Sequence, residues 1–223
     1  MMSPATSPDF VLYSYFRSSA AFRARIALNL KGIVAEQRFV HLLRGGGAQH
    51  DAEYRTINPQ ELVPTLVHEG HSIGQSLAII EYLDEIRPEP PLLPTEPFAR
   101  ARVRQIAYAI ACDIHPLNNL RVLLHLRDKF GADEVQRTDW QRHWMEKGFA
   151  ALESLIGSSR ESGQYCHGDT PTLADICLIP QMANARRVAL DLASYPVLAA
   201  IEVHALAHPA FDAALPKNQP DAE

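Results

Sequence analysis

The chain is poor in cysteine, in aromatic residues and in positive charge. Cys112, Cys166 and Cys177 are the three cysteines among 223 residues, and they form neither an even set nor a C-x-x-C pair. A disulfide framework and a zinc site are both disfavoured, and a reducing, cytoplasmic setting is expected. With 21 Lys+Arg against 26 Asp+Glu the formal charge is −5, so the concentrated basic face that nucleic acid or an anionic membrane requires is missing. No uninterrupted apolar run reaches the length of a membrane span. Residues 1–9 are rich in Ser and Pro without a basic residue or an apolar stretch, which does not suit a signal peptide. Internal repeats and low-complexity segments are also lacking. Small-molecule chemistry, with no nucleic acid and no membrane as partner, is what these absences leave open.

What is present is a 47% apolar chain with scattered prolines, enough for one large domain or two small ones. From Phe10 to about Leu93, short apolar runs alternate with helical patterns. Phe10–Phe16 reads as a strand, and Phe22, Ile26 and Leu30 as the apolar face of a helix ended by Gly32. Residues 36–43 form a second strand, 52–56 a short helix, and 64–68 and 71–73 a hairpin about Glu69-Gly70. A helix follows from Ser76 to Leu83. The order β-α-β-α-β-β-α predicts a thioredoxin-like sandwich over residues 9–93.

Residues 89–97 carry four prolines in nine positions, and the domain boundary is placed there. Beyond it only helical periodicity remains, which predicts an all-helical domain over 98–223. Residues 98–130 read as one long helix bent at Pro116, followed by helices over 139–156, 176–188 and 197–206. Thr172-Leu-Ala-Asp175 has the spacing of a capping box.

Several side chains stand where chemistry is possible. Ser18 and Ser19 sit where a strand hands over to a helix; one hydroxyl can cap the helix, and the free N–H groups there also favour an anion. A thiolate at that place would be stabilised, but no cysteine occupies this turn, so the thiol would have to arrive on a ligand. Val63-Pro64 opens a strand as an ordinary edge proline or, if cis, as a partner for an extended peptide. Ser76 is read as the cap of its helix, beside Gln75, with donors suited to a ligand carboxylate. In the second half Ile110, Ile114, Leu117, Arg121 and Leu124 share one helical stripe, so Arg121 either reaches solvent or awaits an anion. His115 and Asn119 are four apart on a neighbouring face. Arg17 and Arg186-Arg187 could add positive charge, and the remaining arginines read as solvated surface. His68-Glu-Gly-His71 lacks zinc-ligand spacing, Gly45–Gly47 lacks the Lys-Ser/Thr of a phosphate loop and reads as a mobile loop, and Trp140 and Trp144 read as core or interface.

Read together, Leu12-Tyr-Ser-Tyr-Phe-Arg-Ser-Ser19, Arg23-x-Arg-Ile-Ala-Leu28 and Leu30-Lys-Gly-Ile33 resemble the opening of zeta-class glutathione transferases. Asn58-Pro59, Val63-Pro-Thr-Leu66, Gln75–Leu83, Gly168-Asp-x-x-Thr-x-Ala-Asp175 and Gln219-Pro220 continue the resemblance over nearly the whole chain. It implies glutathione as cofactor, a homodimer, and isomerisation of maleylacetoacetate to fumarylacetoacetate in phenylalanine and tyrosine breakdown. By position it implies Ser18 and Ser19 at the glutathione sulfur, with Ser18 the activator, and Gln49, Val63 with a cis Pro64, Gln75 and Ser76 along the tripeptide. His115 and Asn119 fall at positions lining the pocket, and with Arg17, Arg121 and Arg187 they are expected to meet a dicarboxylate acceptor. Where many relatives read Ser-Ser-Cys-Ser, this chain has Ser18-Ser19-Ala20-Ala21. The stretch Cys112–Asn119 also resembles maleylpyruvate isomerases, the alternative reading. A general transferase acting on electrophiles and a non-catalytic glutathione-binding protein complete the set.

Overall fold

The computed structural model describes residues 9–223; the expectation for the first eight residues lies outside them. The chain divides into two compact units, one running up to Pro90 and completed by Pro209–Glu223, the other Pro91–His208.

The first unit is built on β1 (Phe10–Ser14), α1 (Ser19–Leu30), β2 (Glu36–Phe39), α2 (Ala52–Ile57), β3 (Thr65–His68), β4 (His71–Gly74) and α3 (Ser76–Ile86). The sheet order is β2-β1-β3-β4. β1 and β2 run parallel, which requires the α1 crossover, and the other pairs are antiparallel. Leu12 and Leu66 face each other in register and are 0% exposed. Phe22 and Ile26 of α1 and Ile79 and Leu83 of α3 are equally buried, each contributing roughly 1.5–3 kcal/mol over exposure. The hairpin forms on the expected pair: Glu69 and Gly70 both have positive φ, as a tight type I′ turn demands.

Four expectations need correcting. β1 stops at Ser14 and β2 at Phe39; Tyr15, Phe16 and Val40 leave the ladder and pack with Tyr54 and Val63. The α1 helix is buried on nearly every side. Arginines read as surface are interior: Arg23 is 1% and Arg25 3% exposed, and Arg102 is buried as well. Such burial is tolerated where the guanidinium finds acceptors, and Arg102 donates to the Cys166 carbonyl at 2.8 Å and Ser162 Oγ at 2.9 Å. Last, residues 209–223, assigned from sequence to the helical domain, group with the first unit. Hydrogen bonds hold them there: Arg25 Nε donates to the Ala214 carbonyl at 3.1 Å and Asn29 Nδ2 to the Ala210 carbonyl at 2.9 Å.

The second unit contains α4 (Pro97–Tyr108), α5 (Leu120–Phe130), α6 (Glu134–Gly157), α7 (Leu173–Arg187) and α8 (Pro196–Leu206). Glu96 caps α4, accepting from the Phe98 and Ala99 N–H groups with Pro97 at the first helical position. The capping box on α7 is present as expected, with Thr172 and Asp175 each accepting from the other's backbone. The single long helix over 98–130 is not. After α4 the chain forms a π-helical turn at Ala109–Ile114, with the His115 N–H bonded to the Ile110 carbonyl at 2.9 Å, then a 3₁₀ turn at Pro116–Asn118. Asn119 is extended before α5 begins. The stripe from Ile110 to Leu124 therefore spans three segments, and His115 and Asn119 are not stacked on one helix. Trp140 and Trp144 of α6 meet edge to face, ring centroids 5.7 Å apart, and Trp140 Nε1 donates to the Leu117 carbonyl at 2.8 Å.

Candidate functional site

The register of the sheet collects one group of expected residues. Ser14 ends β1, Thr65 begins β3 opposite Tyr13, and Gly74 ends β4 opposite Thr65. The start of α1, the Val63-Pro64 peptide and the start of α3 thus lie at the same end of the sheet.

Ser18 is the N-cap of α1, with extended backbone, and its Oγ accepts the Ala21 N–H at 3.1 Å. Accepting that bond leaves its own O–H free to donate. The first turn carries no acidic side chain, so the positive end of the helix dipole is not answered by the helix itself. Ser19 is buried as the first helical residue, and Arg17, just before the cap, is exposed. Ala20 and Ala21 bring no nucleophile to the turn.

The approach to Ser18 is held by Arg25. Its Nη1 donates to Ser14 Oγ at 3.1 Å and to the Tyr15 carbonyl at 3.4 Å, and its Nη2 to the Phe16 carbonyl at 3.2 Å. Burial pulls the Arg25 pKa down to about 10, opposed by the charge of Asp221, and the guanidinium remains charged near neutral pH.

Val63-Pro64 is cis. Tyr54 and Asn58 fix the backbone around it: Tyr54 Oη donates to the Leu62 carbonyl at 2.6 Å and meets Thr65 Oγ1 at 3.0 Å. Asn58 Nδ2 donates to the same two oxygens, each at 2.9 Å. Burial raises the Tyr54 pKa, which keeps the phenol a neutral donor.

Gln49 is buried, and its Nε2 donates to the Leu42 carbonyl at 3.3 Å, whereas its Oε1 is buried without a hydrogen-bond partner among the described residues. Gly47 stands against this amide at φ +100, and a Cβ there would collide with it. The glycines at 45 to 47, all at positive φ, form a defined turn that makes room for Gln49.

Ser76 is not the cap of α3. That position belongs to Gln75, whose carbonyl accepts the Ile79 N–H, while Ser76 Oγ accepts from Arg23 Nη1 at 3.4 Å. Gln75 has φ +64, a costly conformation for a residue with a Cβ, and its exposed side chain donates to Gln60 Oε1 at 2.9 Å. Nothing in the sequence pattern marks Gln75 as left-handed, nor Arg23, Arg25, Tyr54 and Asn58 as the residues holding this end of the sheet. Asn58-Pro59 signalled only a turn.

The other expected residues belong to the second unit. Asn119 caps α5, its Oδ1 accepting the Arg121 N–H at 3.1 Å. His115 is half-buried, its carbonyl accepts the Asn118 N–H at 3.1 Å, and Arg121 is exposed in the first turn of α5. The turn brings these three within one short segment. Arg187 is exposed at the last position of α7.

Comparison with known proteins identifies the family. Residues 12–91 match the model of the glutathione S-transferase N-terminal domain, and residues 135–211 that of the C-terminal domain. A probable maleylacetoacetate isomerase of Vibrio cholerae is 50% identical over 214 residues, covering 96% of this chain and 99% of its own. A holo structure of maleylpyruvate isomerase, described as a bacterial zeta-class glutathione S-transferase, superimposes with a TM-score of 0.93 at 44% identity, covering 95% of this chain and 99% of the other. The maleylacetoacetate isomerase of Methylobacterium extorquens AM1, crystallised with malonate and glutathione, gives a TM-score of 0.91 at 40% identity with the same coverage. On fold and sequence together, this chain belongs to the glutathione S-transferase family, in its zeta class.

Proposed function

We propose that the protein is a glutathione-dependent cis–trans isomerase of maleylacetoacetate, serving phenylalanine and tyrosine breakdown as a cytoplasmic homodimer. The observation that carries the reading is the start of α1: a serine-capped, unneutralised helix end followed by Ala20, an anion site without a nucleophile of its own. Relatives with maleylacetoacetate isomerase activity in their names support the substrate.

The residues present suit glutathione. Gln49 Oε1 is a buried acceptor awaiting a donor, such as the tripeptide's backbone offers. Gln75 and Ser76 open α3, where backbone N–H groups suit the γ-glutamyl carboxylate, and Val63 would pair with the cysteinyl unit. Glutathione, when bound, would supply the nucleophilic thiolate for a reversible addition to the cis double bond, chemistry that consumes no glutathione. Ser18 would donate its O–H to that sulfur and, with the positive end of the α1 dipole, would keep it ionised near neutral pH. Ser19 assists from the same turn. Arg17, Arg121 and Arg187 are assigned to the carboxylates of the acceptor, where a planar guanidinium fork matches the group, and His115 and Asn119 to its polar middle. These cations also offset negative charge that develops on the substrate.

The test is a spectroscopic assay of maleylacetoacetate with and without glutathione. Isomerisation that needs glutathione and leaves its concentration unchanged is expected. Turnover without it refutes the mechanism, and stoichiometric consumption makes the protein a conjugating transferase. Maleylpyruvate is the second reading, favoured by the 0.93 TM-score to a maleylpyruvate isomerase; a higher kcat/KM for that substrate would establish it.

A further inference from the structure

The last residues of the chain return to the turn that delivers Ser18. Asp221 Oδ2 accepts the Phe16 N–H at 2.9 Å, two positions before the helix cap. Two residues on, Glu223 Oε1 lies 2.6 Å from Arg44 Nη2 and 3.0 Å from His41 Nε2. His41 Nδ1 in turn accepts the Leu43 and Arg44 N–H groups, at the foot of the glycine turn that seats Gln49. The tail is not loosely laid down: Gln219 is buried, and its Nε2 donates to the Ala213 and Leu215 carbonyls at 2.9 and 2.8 Å.

The Phe16 peptide is therefore gripped from two sides. Arg25 binds its carbonyl and the Tyr15 carbonyl from within α1, and Asp221 binds its N–H from the C-terminal tail. The strand has ended at Ser14 and the helix has not begun; one turn bond, from the Ser18 N–H to the Tyr15 carbonyl at 3.0 Å, spans residues 15–18, and among the described residues, positions 15–17 make no ladder bonds. Side-chain partners replace them.

We infer that Asp221 is a positioning residue of the glutathione site, acting through the Phe16 N–H to hold Ser18 where its hydroxyl meets the thiol, with Glu223 steadying the Gln49 loop. This rests on the proposed function in taking glutathione as the ligand and the Ser18 hydroxyl as the group that meets its thiol. Arg17, Arg25, Arg44, Asp221 and Glu223 are the charged groups around this turn, and the tail contributes the two acidic ones.

Positioning and bare charge predict opposite effects on the bound thiol. A carboxylate near a thiolate disfavours it, so if Asp221 acted through its field alone, removing the charge would lower the thiol pKa. If it acts by holding the turn, removing the acceptor should raise that pKa. Asp221→Asn keeps an acceptor oxygen without the charge, and Asp221→Ala removes both. Glutathione affinity is read by calorimetry, the bound thiol's pKa by thiolate absorbance, and the fold of each variant by thermal melting. In Asp221→Ala, glutathione binding should weaken about tenfold and the thiol pKa should rise. In Asp221→Asn, binding should stay within about twofold and the pKa should not rise. Amide exchange at residues 16–19 should quicken in the alanine variant and leave the α7 amides unchanged. Equal thiol pKa values in wild type and Asp221→Ala, or a fall in both variants, would overturn the assignment while leaving the isomerase reading intact. Failure of the wild-type protein to bind glutathione would instead remove the reading itself.

Discussion

Replacing Ser18 by Ala removes two things that the geometry separates. Its Oγ accepts the Ala21 N–H at 3.1 Å, and losing an N-cap acceptor costs about 1 kcal/mol of stability, with a range of roughly 0.5–2. Its O–H, which that bond leaves free, is the proposed donor to the thiolate. One hydrogen bond to a charged acceptor contributes about 1.5–3 kcal/mol, which translates into a rise of about 1–2 in the thiol pKa. An ordinary thiol titrates near about 8.5, so near pH 7 only a few per cent of the cofactor would remain ionised. kcat/KM at neutral pH should therefore fall about 10- to 30-fold, and the gap to wild type should close as pH rises past the new pKa. Ser18→Gly separates the two roles, because glycine costs a cap only a few tenths of a kcal/mol: it should melt close to wild type yet titrate like the alanine variant. Ser18→Thr, which keeps a hydroxyl, should restore much of the ionisation. The assays are the thiolate absorbance of the glutathione complex against pH and thermal melting of the same samples. A thiol pKa unchanged in Ser18→Ala, with the stability loss present, would refute the role of the hydroxyl and leave Ser18 a cap.

Two further outcomes concern the second unit. Asp175 is fully buried and accepts the Cys166 N–H at 2.7 Å, the Thr172 N–H at 2.8 Å and the Thr172 hydroxyl at 2.9 Å. Asp175→Ala would strand two buried N–H groups at about 1–3 kcal/mol each, a large part of the total stability of a typical domain; its melting temperature should drop steeply, Asp175→Asn should fall between, and a melt equal to wild type would refute the accounting. Glu96 has its pKa held below the ordinary value of 4.5 by hydrogen bonds from the Phe98 and Ala99 N–H groups. A depressed native pKa means its contribution is present above the unfolded value and is lost as pH falls through the native one. Unfolding measured down the acid limb should therefore be flatter below about pH 4.5 in Glu96→Gln than in wild type; parallel curves would count against the cap.

The elements of the first unit were legible because each rests on a local period or a turn pair: the alternation of β3 and β4, the Glu69-Gly70 turn, the apolar run after Ser76. What escaped was long-range. The hydrogen bond of Phe16 to Asp221 joins residues 205 apart, and no short window contains it. Tyr15 and Phe16 look like strand because they are aromatic, yet they serve the cluster with Tyr54 and Val63. Arg23 and Arg25 look like surface because they are charged; only the carbonyls and hydroxyls that meet them show why they are inside. In the second unit, a π turn and a 3₁₀ turn conserve an apolar rhythm close to that of an α-helix while changing where the side chains point, so the stripe through Arg121 was drawn on a helix that Asn119 interrupts. Pro116 announced a break without giving its form.

Both tryptophans of the chain, Trp140 and Trp144, lie in the second unit. Indole emission is thus a private signal of the helical half, and it arises next to the Leu117 carbonyl, inside the segment from His115 to Arg121. Excited selectively, the protein would report the melting of that half alone, while the NMR signals of the buried Leu12 and Leu66 would report on the other. Superposed curves would mean that the two halves come apart as one cooperative body, and split curves that each keeps its own thermal life.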